Sequence, residues 1–347
     1  MGKFDIQKLQ SLMDEAIEQK IETGCQFSIY KDGQEIVSLA AGTKEHTHTN
    51  KVTLDTLFPV YSVGKPIMAT ACLMMWEQNK FKLDEPICKY WKNFIGGGKE
   101  EVLFIHGFSH SSGLHGLTNE MDKKEYGNWE KMCCAMEKAT CAYKPGSFCD
   151  YHGLTFCWVL GKAVEEACKR SLKSIIKDEL LAPLGLDKEI VYGWATKEQD
   201  NQRAHVDYTK DATEEFVYIM EDDNFRNGFM PAANCMATAR ALAKFYACLL
   251  NGKILKKETI QLATKLIRNE NQPLSSWANF GLGYALKPND NLGRIFGQGG
   301  ALGSHGFADK DSGYSIGFTR NLITPNHPNY PLRDNLLTAI NLPTLFW

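Results

Sequence analysis

The chain has 347 residues, 44% hydrophobic and 23% charged, the balance of a folded globular protein able to bury a core without disulfide staples. Its 39 Lys and Arg against 41 Asp and Glu give a net charge of -2 at pH 7, which excludes the electrostatic footprint of a nucleic-acid or acidic-membrane binder. The length admits about two structural units or one large mixed domain.

The eleven cysteines (Cys25, Cys72, Cys88, Cys133, Cys134, Cys141, Cys149, Cys157, Cys168, Cys235 and Cys248) are odd in number and none forms a C-x-x-C pair. Lying in otherwise apolar stretches, they read as reduced core thiols of a cytoplasmic protein. The first twenty residues mix acids and bases where a secretory signal would have a basic start and an apolar run. No apolar stretch is long enough to span a membrane, and no Asn-x-Ser/Thr acceptor occurs.

Ile6, Leu9, Met13, Ile17 and Ile21 recur at helical spacing, predicting an amphipathic helix with Gly24 as its stop. In QFSIYKDGQEIVSLAAG the Asp32-Gly33 pair between β-branched and aromatic residues predicts a hairpin, because the turn needs positive φ. From about Pro66 to Lys265 helical patterns alternate with loops rich in Gly, Pro and Ser, such as SHSSGLHGL and YKPGSFCDYHG. From Phe280 onward FGLGYAL, GRIFGQGG and YSIGFTRN read as short strands, and PLRDNLLTAINLP as a closing helix. Strands at both chain ends predict an α/β (α+β) fold with one antiparallel sheet, terminal helices packed on it, and a helical insertion between.

Chemistry concentrates in FPVYSVGKPIMATACLMMWEQ, where Ser62 and Lys65 stand three apart at the start of an apolar helix. That spacing puts hydroxyl and amine on one face, and the helix N-terminus offers unpaired N–H groups to a developing oxyanion. Pro66 costs little there, since first-turn amides lack intrahelical acceptors. The arrangement suits a serine nucleophile that forms an acyl-enzyme. Ser-x-x-Lys recurs at Ser28/Lys31 and Ser174/Lys177. The first lies in the hairpin strand, where a separation of three puts side chains on opposite faces, and the second lies well inside a charged helix.

Six segments in order resemble the penicillin-recognising serine enzymes, in particular the class C β-lactamase and carboxylesterase-like branch. FPVYSVGKPIMA resembles the nucleophile motif, FSHSSGLHG the His-(Thr/Ser)-Ser-Gly-Leu loop, and YKPGSFCDYHG the segment bearing the second motif. DELLAPLGLDKE, FMPAANCMATARALAKFYACLLNGK and GQGGALGSHGFADKDSGYSIGF are similar to the family's later helices and third motif. The resemblance implies a single β-lactamase/transpeptidase-like unit, its α/β part about 1–61 and 266–347 and its mainly helical part about 62–265. It implies Ser62 as nucleophile, Lys65 as its proton-transfer partner and Tyr151 as the second acid/base group. The backbone N–H groups of Ser62 and Ala301 would form the oxyanion hole, and Gln298, Gly299, Gly300, His152 and Gly153 would contact substrate. No cofactor and no metal are implied.

Two departures bear on substrate. Tyr151-His152-Gly153 stands where class C enzymes have Tyr-x-Asn, so a carboxamide is missing. Gln298-Gly299-Gly300 stands where the third motif has Lys-Thr-Gly or His-x-Gly, so the position supplies neither a cation for a substrate carboxylate nor a titratable proton. An ester, thioester or amide fits this pattern better than a β-lactam.

His110 with Ser111, Ser112 and His115 suggests a Ser-His pair, yet no G-x-S-x-G elbow is present and His110 reads as a brace for the loop. His46 and His48 alternate with threonines without a third ligand nearby and read as a surface loop. Asp150 beside Tyr151 is open between roles. Trp277, Phe280, Tyr284 and Phe296 read as core ahead of an acyl-pocket wall. The expectation is a serine esterase or amidase acting on a small-molecule acyl substrate, with homo-oligomerisation open. The alternatives are acyl transfer from the same acyl-enzyme, or a non-catalytic assembly or ligand-binding member of the fold.

Overall fold

Asp5 caps the first helix by accepting from the Lys8 amide, and α1 (Ile6–Glu18) then buries Leu9, Met13 and Ala16. The computed structural model describes residues 5–45, 49–116, 122–193, 196–208, 221–267, 279–287, 292–323 and 331–343. The helix ends at Gln19, with Lys20 in the left-handed region at φ 58°, so Gly24 is not its stop. Gly24 instead opens strand β1 (Gly24–Lys31), where a methyl group would lie 2.2 Å from the Thr43 carbonyl oxygen. β1 turns into β2 (Gln34–Gly42) through Asp32 and Gly33, both at positive φ, as the hairpin signal requires.

The middle of the chain runs β3 (Phe58–Pro59), α2 (Gly64–Glu77), α3 (Phe104–Phe108), α4 (Trp129–Lys138), α5 (Thr155–Cys168), β4 (Ile190–Tyr192), β5 (Asp207–Tyr208), β6 (Cys235–Ala237) and α6 (Ala239–Leu250). The last part adds β7 (Ala285–Leu286), β8 (Ile295–Gly299), β9 (His305–Asp309), β10 (Tyr314–Arg320), β11 (Leu322–Ile323) and α7 (Pro331–Ala339). β2, β1, β10, β9, β8 and β7 form, in that order, an antiparallel sheet drawn from both chain ends. β3, β6 and β4 form a smaller sheet. No described helix is long and apolar enough to cross a membrane.

Alternation along the strands decides what each sheet face receives. Cys25, Phe27 and Ile29 of β1 and Ile316 and Phe318 of β10 join Leu9 and Met13 of α1 and Leu332, Leu336 and Leu337 of α7 in one apolar cluster. The opposite face carries Gln26, Ser315, Gly317 and Thr319 and receives α6. A methyl group on Gly317 would lie 2.0 Å from the Ala239 carbonyl, and Ser315 Oγ donates to the Ala243 carbonyl at 2.9 Å. Gln26 Oε1 accepts from the Ala239 amide at 2.8 Å, supplying a partner to the start of α6. Thus α6, inside the stretch expected to form the helical insertion, packs on the sheet.

The helical layer centres on α2, which buries residues from Gly64 through Leu73 on every side, as a helix wrapped by other elements must. All eleven cysteines are free thiols and seven are buried, so most serve as small apolar core residues. FGLGYAL yields only the short β7, because Gly283, at φ 82°, turns the chain where its amide donates to the Phe108 carbonyl. HGFAD, not singled out as a strand, forms the inner strand β9.

The fully buried Leu336 closes the α1/α7 face. Leu336→Ala is predicted to cost about 2–5 kcal/mol in urea unfolding. A loss below about 0.5 kcal/mol, typical of a surface change, would contradict that packing.

Candidate active site

The turn before α2 is built under backbone strain. Tyr61 holds φ at 49°, a left-handed conformation that costs a non-glycine residue about 1–3 kcal/mol. Burial of its ring and the Val60 amide bond to the Cys235 carbonyl, 2.9 Å, hold the turn. Ser62 follows, half-buried, within the Tyr61–Val63 turn.

Lys65 lies in the first turn of α2 with 1% of its surface exposed. Its Nζ donates to Ser62 Oγ at 2.8 Å and to the Ala232 carbonyl at 2.8 Å. Tyr151 Oη donates to Ser62 Oγ at 2.9 Å, and Lys65 Nζ sits 5.0 Å from the Tyr151 ring centre. Both groups stand within the distance at which a side chain exchanges a proton with a hydroxyl. The three residues expected to act together do meet here.

The Ala232 carbonyl is held by its own loop. Asn234 Oδ1 accepts from the Met230 amide, and its Nδ2 donates to the Phe225 and Gly228 carbonyls, each near 3.0 Å. A buried amine needs such acceptors, and here a main-chain oxygen supplies one. At Gly153 a methyl group would meet only the Tyr151 ring edge at 3.9 Å, so the space beside the phenol is open.

Tyr151 is fixed from the FSHSSGLHG loop. His110, at φ 56°, accepts from the Asp150 amide through its carbonyl and from the His152 amide through Nδ1. Its ring packs against Phe156, Phe280 and Tyr151, while Phe280 stacks on Tyr151 at 5.6 Å with planes 9° apart. This is the bracing expected of His110. Ser112 does pair with a histidine, but with His152, and both are sealed from solvent. Asp150 lies 3.5 Å from His115 at the edge of the loop.

His152, expected to touch substrate, is 2% exposed and has no free ring nitrogen. Nδ1 lies 2.5 Å from the Asp150 carbonyl and must donate to it, leaving Nε2 to accept from Ser112 Oγ at 2.8 Å. Acceptance at Nε2 needs the neutral ring, and burial pushes its pKa down to about 4. Phe280, Tyr284 and Phe296 are core, with the Tyr284 hydroxyl bonded to Thr70 Oγ1 at 2.6 Å. His46, His48 and Trp277 lie outside the described residues. Among the described residues no cluster of three potential metal ligands occurs.

The end of β8 abuts the Ser62 turn. A methyl group on Gly300 would lie 2.2 Å from the Val60 carbonyl oxygen, so only glycine allows the approach. Gln298 is 7% exposed, with Nε2 donating to the Gly299 carbonyl, and Gly299 is half-buried. Ala301 is exposed, and neither its amide nor that of Ser62 donates to an acceptor among the described residues. The turn is clamped from behind by Arg320, whose Nη1 donates to the Leu302 carbonyl at 2.8 Å and whose Nε donates to the buried Glu22 at 2.7 Å. Sequence reasoning missed Ala232, Asn234 and Arg320. Arg320 ends a strand that was legible, but nothing local marked its reach to the turn.

Fold and site together define a serine hydrolase in which Ser-x-x-Lys meets a tyrosine from a separate loop. The description "Beta-lactamase" belongs to the family model matching residues 9–338, and the chain belongs to that family. Over 343 residues it is 26% identical to the esterase/beta-lactamase LipL of Mycobacterium tuberculosis, covering 87% of this chain and 78% of that protein. A family VIII carboxylesterase structure superposes with a TM-score of 0.86 at 21% identity, covering 98% of both chains. A penicillin-binding protein homologue from Caulobacter crescentus gives 0.83 at 20% identity, again over 98% of both.

The buried His152 carries a pH signature. In the unfolded chain it takes up a proton near pH 6.5, but in the fold only near pH 4. Between these values the unfolded state binds more protons, so acidification favours unfolding. Stability is predicted to fall by about 3 kcal/mol from this residue between pH 7 and 4. Urea unfolding of wild type and His152→Gln across that range checks it; the variant should lose that part of the slope, and identical slopes would contradict the neutral buried ring.

Proposed function

We propose that this protein is an esterase-like hydrolase that cleaves small-molecule acyl esters or amides, with weak or no turnover of β-lactams, through a covalent acyl-Ser62 intermediate. One observation carries the reading: Ser62 Oγ stands 2.8 Å from Lys65 Nζ and 2.9 Å from Tyr151 Oη in a half-buried turn. The reactive form is the one in which one member of the Lys65/Tyr151 pair is deprotonated, Lys65 as neutral amine or Tyr151 as phenolate. In the first step Ser62 Oγ bonds to the acyl carbon, the carbonyl π pair moves to oxygen, and the serine proton passes to that free base. The ester C–O bond then breaks, and the departing alkoxide takes a proton from that pair. In the second step water repeats the sequence, its proton entering the pair and Ser62 leaving protonated with release of the acid. The unengaged amides of Ser62 and Ala301 are the proposed donors to the oxyanion of each tetrahedral intermediate.

The preference for simple acyl donors over β-lactams rests on what flanks the serine. The neutral Gln298 offers no cation to a substrate carboxylate, and the open space at Gly153 offers no carboxamide to an acylamino group. Eleven free thiols support a reducing, cytoplasmic setting. The chemistry invokes no cofactor.

Steady-state hydrolysis of p-nitrophenyl esters tests the roles. Ser62→Ala is expected to abolish turnover with an unchanged circular dichroism spectrum, and Tyr151→Phe to lower kcat by about 10²–10⁴. An unchanged kcat in Tyr151→Phe would remove the phenol from the proton path. Gln298→Lys combined with Gly153→Asn is expected to raise the ratio of cephalosporin to ester turnover. An unchanged ratio would show that these two positions do not set substrate choice.

A further inference from the structure

A cavity of about 250 Å³ shares no lining residue with the Ser62 site. Ile176, Leu181, Val191, Tyr192 and Phe229 make it mainly apolar. Its charged lining is three lysines, Lys173, Lys177 and Lys188, against one carboxylate, Asp187. The lysines are exposed, and none makes an ion pair or side-chain hydrogen bond among the described residues. The lining segment Ile175–Leu181 is a π-helix continuing the turn Leu172–Ser174, a local widening frequent at functional sites. One wall touches the catalytic framework: the Tyr192 hydroxyl donates to the Gly64 carbonyl at 2.7 Å, and Tyr192 pairs with Cys235 across β4 and β6.

A polar anion such as free phosphate would leave the apolar lining unsatisfied, and a neutral hydrocarbon would leave the lysines unused. A ligand with an alkyl body and one anionic end uses both. We propose that this cavity binds a medium-chain fatty acid, its chain against Ile176, Leu181, Val191, Tyr192 and Phe229 and its carboxylate among Lys173, Lys177 and Lys188. The ligand fills apolar space that water occupies poorly, and its charge offsets the excess of lysines over Asp187. The site is independent of the acyl-enzyme assignment, since none of its residues takes part in that chemistry.

Isothermal titration calorimetry of the full chain tests this with octanoate, 1-octanol and acetate, each on wild type and on Ser62→Ala. Octanoate is expected to bind both proteins equally, with octanol and acetate at least about tenfold weaker. Lys173→Gln/Lys177→Gln/Lys188→Gln is expected to weaken octanoate at least about tenfold while p-nitrophenyl ester turnover is kept. A Val191→Asp variant, which puts a carboxylate on the apolar wall, is expected to do the same. No octanoate binding at millimolar concentration, equal binding of octanol, or unchanged affinity in the neutralised variant would each overturn the proposal. Octanoate binding that survives covalent blocking of Ser62 by a bulky fluorophosphonate, and is lost in the lysine-neutralised variant, separates this site from the catalytic one; loss of binding on blocking would overturn the proposal.

Discussion

The rest of the site depends on holding Lys65 Nζ, in a nearly solvent-free position, within 2.8 Å of Ser62 Oγ. A buried amine at the start of a helix is costly unless each of its hydrogen-bonding directions finds an acceptor. Ser62 Oγ is one acceptor and the Ala232 carbonyl another. The Asn234-braced loop that presents Ala232 therefore belongs to the active site as much as the motif does. Tyr151 completes the set from a third segment, so the hydroxyl is shared by groups far apart in the chain that only the fold brings together.

Two strained residues and one glycine mark where the fold gives way to the site. Tyr61 and His110 both adopt left-handed backbone, one immediately before the serine and one beneath the tyrosine. Gly300 lets the β8 end press against Val60. Behind these points the structure is regular: small and polar residues on one sheet face admit α6 closely, and the Arg320–Glu22 pair ties the sheet to the turn that carries Ala301. Rigidity in the scaffold is what allows strain at the turn to persist.

Legibility in the sequence followed the kind of signal each feature leaves. The hairpin at Asp32-Gly33, the Leu9 and Met13 part of the α1 face and the sheet drawn from both chain ends were readable because side-chain periodicity and turn chemistry are local. Ile6 of the same pattern is exposed, and Ile21 lies past the helix end. That Ser62, Lys65 and Tyr151 meet was anticipated from the resemblance, helped for Ser62 and Lys65 by their place at the start of an apolar helix; spacing alone marks two other Ser-x-x-Lys pairs equally. Features resting on the main chain left no such mark: the Ala232 carbonyl, the φ of Tyr61 and the π-helix at Ile175–Leu181. Gly24 was misread because a glycine after a helical pattern fits a helix stop and a close strand contact equally well. His152 was misread because adjacency to Tyr151 in sequence does not tell which side of the backbone faces the cleft.

The central claim is that Ser62 becomes covalently acylated. Intact-protein mass spectrometry of acid-quenched samples, taken milliseconds to seconds after mixing with a p-nitrophenyl ester and followed by peptide mapping, tests it most directly. The account predicts a transient increase equal to one acyl group, mapped to Ser62 and absent in Ser62→Ala. Ester turnover with no adduct at any time, together with retained activity in Ser62→Ala, would contradict it.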